Sequence, residues 1–367
     1  MTNKASFHGS DIEKIAAHYK VPMDSLVNFA ANVNPLGLPP YVSRAIASNL
    51  DVLSTYPDRE YTKLREVIGA YCNVDSSHVM VGNGTSELIA LLIHQISPKK
   101  TLILGPTYSE YERELTFLRS SMEYYNLKPE DDFQLRRECF LNKLTHPYDL
   151  LVLCNPNNPT SSFLSVHELE PILENCKKNH IFVMIDETYI EFVANGQEAS
   201  AISLIQKYDN FMILRGVSKF FAAPGLRLGY GITSNAKLLE SLKNVQIPWS
   251  LNSIGAYAGE LLFTEQTYIH ATRTLIEKEK RHFQSEFHNL SDVNVFPAHA
   301  NFILLQITKD NVTAHDVFLA CLKKGCLVRD CSSFDSLDGE FIRFCIMNSE
   351  DNRRLIDVFK SLLSTLV

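Results

Sequence analysis

The chain has 367 residues, 45% of them hydrophobic, enough to bury a large core and to divide into two domains. Its formal net charge is −7, with acidic and basic residues interspersed, which argues against a nucleic-acid-binding stripe and against a polybasic membrane anchor. The 8 cysteines show no CxxC pair and no window approaches a membrane span, so we expect reduced thiols, no metal site and a cytoplasmic protein.

The opening segment, FHGSDIEKIAAHYKVPMDSLVNFAANVNPLGLPP, sets Asp11 ahead of a helix expected over Ile12 to Tyr19, where a carboxylate suits the helix N-terminus. STYPDREY follows with Tyr56, by default a packing residue with a wet hydroxyl. Val81-Gly82-Asn83-Gly84-Thr85-Ser86-Glu87 then opens onto the amphipathic run ELIALLIHQI. Its free N–H groups, with the Thr85 and Ser86 hydroxyls, make a phosphate site; equally, Thr85 or Ser86 is a plain N-cap with Glu87 in the first turn. TLILGP reads as a strand, with Tyr108 just beyond it in GPTYSEY.

YDLLVLCN is a second strand, feeding the turn Cys154-Asn155-Pro156-Asn157-Asn158-Pro159-Thr160. Its prolines forbid helix and pin the backbone, leaving an asparagine amide free to donate to a ligand oxygen, and Asn158 is the donor we choose. The helix-period segment LSVHELEPILENCKKN precedes IFVMIDETYIEF, where an apolar run from Ile181 to Ile185 ends in Asp186, with Tyr189 shortly after. Buried parallel strands look like this, and their carboxyl ends line ligand crevices. Asp186 there could keep a pyridine nitrogen protonated and Tyr189 could bond the ring's phenolic oxygen; alternatively, Asp186 caps the next element.

NFMILRG is a further strand, followed by GVSKFFAAPGLRLGY. Lys219 after Ser218 has an amine able to form an imine with an aldehyde, and Arg227, eight residues on, can clamp a phosphate bidentately. The spacing alone also describes two solvated cations around the turn at Pro224-Gly225; taken with Asp186 it specifies pyridoxal phosphate. Beyond the strand LGYGIT and Pro248 the pattern changes to a long charged helix from about Glu265 to Leu290, then VFPAHANFILLQI, FLACLKKGCLVRDC and EFIRFCIM. Arg343, on the strand-like EFIRFCIM, is by residue type alone a surface cation. The alternation predicts an α/β fold in which residues 45–262 form a large domain with a mostly parallel sheet flanked by helices. Residues 1–44 and 263–367 form a smaller α+β domain with an N-terminal arm.

These motifs, in this order, resemble the fold type I pyridoxal phosphate enzymes of the histidinol-phosphate aminotransferase branch, nearly end to end. The HGSD opening, STYPDREY, VGNGTSELI, CNPNNPT, SKFFAAPGLRLGYGI, QIPWSLNSIGAYAGE and ANFILL are most similar to the threonine-phosphate decarboxylases of cobalamin biosynthesis. The resemblance implies that Lys219 holds the cofactor covalently, Asp186 its pyridine nitrogen, and Asn158 and Tyr189 its phenolic oxygen, with Tyr108 stacked on the ring. Gly84, Thr85, Ser86, Ser218 and Arg227 would hold its phosphate, joined by Tyr56 from the other subunit of a homodimer. Arg343 would bind the substrate α-carboxylate, and His8, Asn32 and Arg329 its distal phosphate. Several positions depart from the pattern: Gly216 replaces a serine or threonine, Asp11 an asparagine and Ser161 a glycine, while Met347 stands where decarboxylases can carry a second arginine.

The function expected is decarboxylation of O-phospho-L-threonine. The alternatives are an aminotransferase working with 2-oxoglutarate on a phosphorylated or aromatic amine, and a cofactor-binding regulator without turnover. The choice between the first two lies in orientation, because the bond that breaks is the one held perpendicular to the cofactor ring.

Overall fold

The computed structural model describes residues 11–364. Its strands in chain order are β1 (Val27–Asn28), β2 (Val79–Asn83), β3 (Lys100–Gly105), β4 (Ser121–Asn126), β5 (Leu150–Cys154), β6 (Phe182–Asp186) and β7 (Phe211–Gly216). They continue as β8 (Leu228–Ile232), β9 (Val293–Val295), β10 (Phe302–Ile307), β11 (Cys326–Leu327), β12 (Arg329–Asp330) and β13 (Phe341–Cys345).

The apolar runs at the centre are buried along almost every residue, as strands covered by helices on both faces must be. Alternate side chains enter opposite layers: Leu150 and Val152 join one apolar cluster, Leu151 and Leu153 the other. The main sheet runs β2-β8-β7-β6-β5-β3-β4, with β4, β3, β5, β6 and β7 mutually parallel. The segment LGYGIT, expected within the alternation of a parallel sheet, is instead antiparallel to both neighbours, β7 and β2. Its connection from β7 spans only residues 217–227, with a single short 3-10 turn at Pro224–Leu226, too little chain for a helical crossover. The edge strand β4, SMEYYN, and β2, hidden beside the glycine turn, carry weaker patterns and were not foreseen.

A second sheet, β12-β13-β10-β9, is antiparallel throughout and packs with the helix Gln266–Phe287, close to the span expected for the long charged helix. In the N-terminal segment β1 pairs in parallel with β11 as a separate two-stranded sheet, and the segment reaches the second sheet through Cys345 N–H donating to Phe29 C=O at 2.7 Å. The expected helix runs Ile12–Tyr19, but Asp11 makes no side-chain capping bond although it occupies the N-cap, and lies 3.7 Å from Lys14 Nζ instead. Because β3, β5, β6 and β7 are parallel, their carboxyl ends meet on one edge. The loops leaving them, residues 30–32 and the strand pair β12–β13 enclose the crevice there.

Candidate active site

A cavity of about 310 Å³ lies at that edge. One end is built from backbone. The helix Gly84–Ile96 begins with Asn83 as N-cap, which makes no side-chain capping bond, so the reading of Thr85 or Ser86 as N-cap does not hold. Glu87 turns back to accept from the Asn83 N–H at 2.6 Å, and Gly84, Thr85 and Ser86 line the cavity. Gly84 has φ +79°, and a Cβ there would stand 2.5 Å from Arg227 Nη2. On the far side a Cβ on Gly229 would meet the Gly84 carbonyl carbon and Thr85 N, both at 2.5 Å. Glycine is therefore what lets β8, the helix start and the Arg227 guanidinium close into one cradle. A serine or threonine at Gly216 would bring its Cβ to 3.2 Å from the Thr85 methyl, so the departure at Gly216 matches the bulk of Thr85.

The floor comes from the ends of β5, β6 and β7. In the turn after β5, Asn155 is spent bridging to the Leu164 backbone and Asn157 to Pro106, Thr107 and Thr160. Asn158 alone of the three lines the cavity, and its Oδ1 accepts from Arg343 Nη1, which leaves its amide hydrogens to donate elsewhere. Ser161, with φ +59°, adopts the backbone that favours glycine and holds it by accepting from the N–H groups of His299 and Ala300 at 3.0 and 2.8 Å.

Asp186 is 4% exposed. Its Oδ1 accepts from Thr188 N–H at 2.9 Å and Thr188 Oγ1 at 2.6 Å, a local turn; the next element, Ile190–Phe192, has Tyr189 as its N-cap, so the capping alternative does not hold. Its Oδ2 accepts from Tyr111 Oη at 2.6 Å and keeps a lone pair for a further donor. Burial pushes the carboxyl up from its ordinary value while the Thr188 and Tyr111 donors pull it down. Tyr189 Oη accepts from Asn32 Nδ2 at 3.2 Å, freeing its own proton for a cofactor oxygen.

Lys219 Nζ donates to the Ala31 carbonyl at 2.7 Å, so it is no solvated surface cation. Burial first, and the nearby Arg343 charge second, push its pKa down to about 8. A neutral, nucleophilic amine is thereby accessible near neutral pH. Arg343 is 5% exposed, with Nη2 donating to the Ala30 carbonyl at 2.6 Å, and so is not the surface cation its type alone suggests. Arg329 is its register partner across β12–β13, held by Ser333 Oγ at 2.6 Å and by the Phe334 ring at 5.6 Å. Burial pushes the Arg329 pKa down.

Tyr108 and Ser218 also line the cavity, as do, among the described residues, all the other cofactor- and substrate-binding residues expected from the sequence except Tyr56. Tyr56 is 79% exposed and its ring meets Trp249 at a tilt of 41°, centroids 4.9 Å apart; His8 lies outside the described residues. Asn32, expected beside a distal phosphate, has its Nδ2 on Tyr189, and Met347 packs into the hydrophobic core rather than the cavity. Sequence reasoning missed Tyr111, Thr188 and Ser333. Only Tyr111 left a trace: it falls one helical turn after Tyr108 in GPTYSEY.

The donor set fits pyridoxal 5′-phosphate: an uncapped helix start with Arg227 for its phosphate, a lysine amine for its aldehyde, and a buried carboxylate for its pyridine nitrogen. No carboxylate among the described residues takes up Lys219 or Arg343, whose donors go to carbonyls and to Asn158.

A family model described as aminotransferase class I and II matches residues 24–359. The threonine-phosphate decarboxylase of Salmonella typhimurium is 32% identical over 359 residues, 98% of this chain and 97% of its own. The histidinol-phosphate aminotransferase of Methanococcus aeolicus is 28% identical over 364 residues, 98% and 96% of the two chains. The crystal structure of the histidinol-phosphate aminotransferase from Clostridium acetobutylicum, at 30% identity, matches with a TM-score of 0.85 over 92% of this chain and 99% of that one. The fold type I architecture, an enzymatic role and dependence on pyridoxal 5′-phosphate, each expected from the motifs, accord with these findings. The chain belongs to the aminotransferase class I and II family.

Proposed function

We propose that this enzyme decarboxylates O-phospho-L-threonine to (R)-1-amino-2-propanol O-2-phosphate, the phosphorylated amino alcohol of the cobalamin side chain. The observation that carries the reading is the pairing of Arg329 with Arg343 in register across β12–β13, both lining one cavity. With the helix start and Arg227 reserved for the cofactor phosphate, two further arginines ask for a substrate with two anionic groups. Phosphothreonine carries a carboxylate and a phosphate on one molecule, whereas histidinol phosphate has the phosphate alone and a transaminase would meet two anions only in its dicarboxylate partner 2-oxoglutarate.

When bound, the cofactor supplies an electron sink for the carbanion left at Cα. Asp186 would hold the ring nitrogen, and Asn158 and Tyr189 the phenolic oxygen. Arg343, fixed by Ala30 and Asn158, would hold and orient the substrate carboxylate, with Arg329 holding the distal phosphate. Loss of the carboxylate as CO₂ would leave its electron pair at Cα, and Lys219 Nζ would supply the proton that replaces it there. With the carboxylate held in another orientation, the same amine would instead take the Cα proton, as a transaminase requires. The histidinol-phosphate aminotransferase relatives favour that second reading.

The exposed Leu53, Tyr56, Ile247 and Trp249 support a homodimer in which Tyr56 reaches the partner's site. The free cysteines, buried except for Cys139, support a cytoplasmic setting, and no helix among the described residues is long and apolar enough to cross a membrane. We assign residues 45–262 to the large domain, and 1–44 with 263–367 to the small domain and arm.

The test mixes cofactor-loaded protein with O-phospho-L-threonine, without any keto acid, and follows CO₂ together with the absorption spectrum. Catalytic CO₂ release with the starting spectrum restored is expected. One-for-one conversion to the pyridoxamine form without CO₂ would replace the decarboxylase with an aminotransferase.

A further inference from the structure

Tyr111 has no role in the function as stated so far, yet it is wholly buried and its hydroxyl meets a charged group. It lies in the helix Glu110–Phe117, its ring sunk in the apolar layer that contains Ile103, Val152 and Met184. Tyr108, one turn earlier and at the cavity wall, meets the ring edge to face at 5.6 Å and 85°. Packing thus fixes the ring, and the ring fixes where the hydroxyl points: at Asp186 Oδ2, 2.6 Å away. Thr188 places both its donors on the other oxygen, Oδ1. Asp186 therefore receives three hydrogen bonds, and Tyr111 supplies the only one among the described residues that reaches Oδ2.

A pyridine nitrogen paired with a carboxylate in a dry site has two ways to share its proton. Either the proton sits on nitrogen and the pair is ionic, or it moves to the carboxylate and both partners are neutral. Burial favours the neutral pair, because it disfavours separated charge. Every donor on the carboxylate favours the ionic one. Only the ionic pair leaves a pyridinium able to draw electrons from Cα.

We propose that Tyr111 is a positioning residue that keeps Asp186 ionised, and so keeps the proton on the cofactor's ring nitrogen. The proposal rests on Asp186 as the partner of that nitrogen, and holds whether the enzyme decarboxylates or transaminates. It assigns Tyr111 more than the filling of a core position, since phenylalanine would pack there equally well.

The test loads wild-type protein, Tyr111→Phe, Thr188→Val and Asp186→Asn with ring-¹⁵N pyridoxal phosphate and records the nitrogen chemical shift, with cofactor Kd measured in parallel. Wild type is expected at the pyridinium position and Tyr111→Phe displaced toward unprotonated pyridine, with Kd raised roughly tenfold. Thr188→Val, which keeps the Thr188 N–H, is expected to move the signal the same way by less, and it carries the test if Tyr111→Phe folds poorly. A shift in Asp186→Asn with none in well-folded Tyr111→Phe would overturn the role of Tyr111 alone. No shift in Asp186→Asn would remove Asp186 as the nitrogen's partner and the proposal with it.

Discussion

The two ends of the cavity are built differently. The cradle at the start of the helix Gly84–Ile96 is backbone: N–H groups, a glycine with positive φ, and a second glycine that lets a strand approach. The end lined by Arg329 and Arg343 is made of long side chains from neighbouring strands, held by Ser333, Phe334, Asn158 and the Ala30 carbonyl. Backbone geometry is costly to change, whereas a side chain can be exchanged in one step. The first end accordingly suits a constant ligand, and the second is where relatives sharing about a third of their sequence can diverge in substrate.

Lys219 belongs to neither end and serves both, so its loss is the largest effect we expect. Lys219→Ala should bind cofactor without the imine absorption band and show no turnover with any amine. Full activity in that variant would remove the whole scheme. Arg343→Ala comes next and separates the two ends. Removing charge-assisted hydrogen bonds from a buried site should lower kcat/KM about a hundredfold. Cofactor affinity should move far less, because the only hydrogen bond Arg343 makes to a side chain proposed to hold the cofactor is the one to Asn158. Equal losses in both quantities would mean that the ends are not separable.

The same contrast governs what could be read from sequence. The central strands announce themselves as apolar runs, and the turns after them carry glycines and prolines whose backbone demands are local. Asp186, Lys219 and Gly84 were legible for that reason. The direction of β8 was not, since an antiparallel return depends on the length of the connection rather than on the strand's own residues. Tyr111 and Ser333 were also hidden: a tyrosine in a helix and a serine in a loop look like packing and solvent until the fold sets them against Asp186 and Arg329. Among the three asparagines of the turn after β5, only the contacts of Asn155 and Asn157 show that Asn158 is left for the cavity.

Gly84→Ala is the smallest of these changes and the sharpest probe of the backbone end. A methyl group at φ +79° costs about 1–2 kcal/mol of stability by itself. The new Cβ would also fall 2.5 Å from Arg227 Nη2, so the guanidinium must swing away, and it can do so because it is the mobile end of a long side chain. The phosphate site we propose would then keep its helix start but lose its clamp. Cofactor Kd should rise about tenfold, as for one charge-assisted hydrogen bond, with substrate KM unchanged once the enzyme is saturated with cofactor. Arg227→Ala should weaken cofactor binding by a similar factor, and combining the two substitutions should add little, because both remove the same contact. Additive losses would show that Gly84 acts through the helix start itself and not by making room for Arg227.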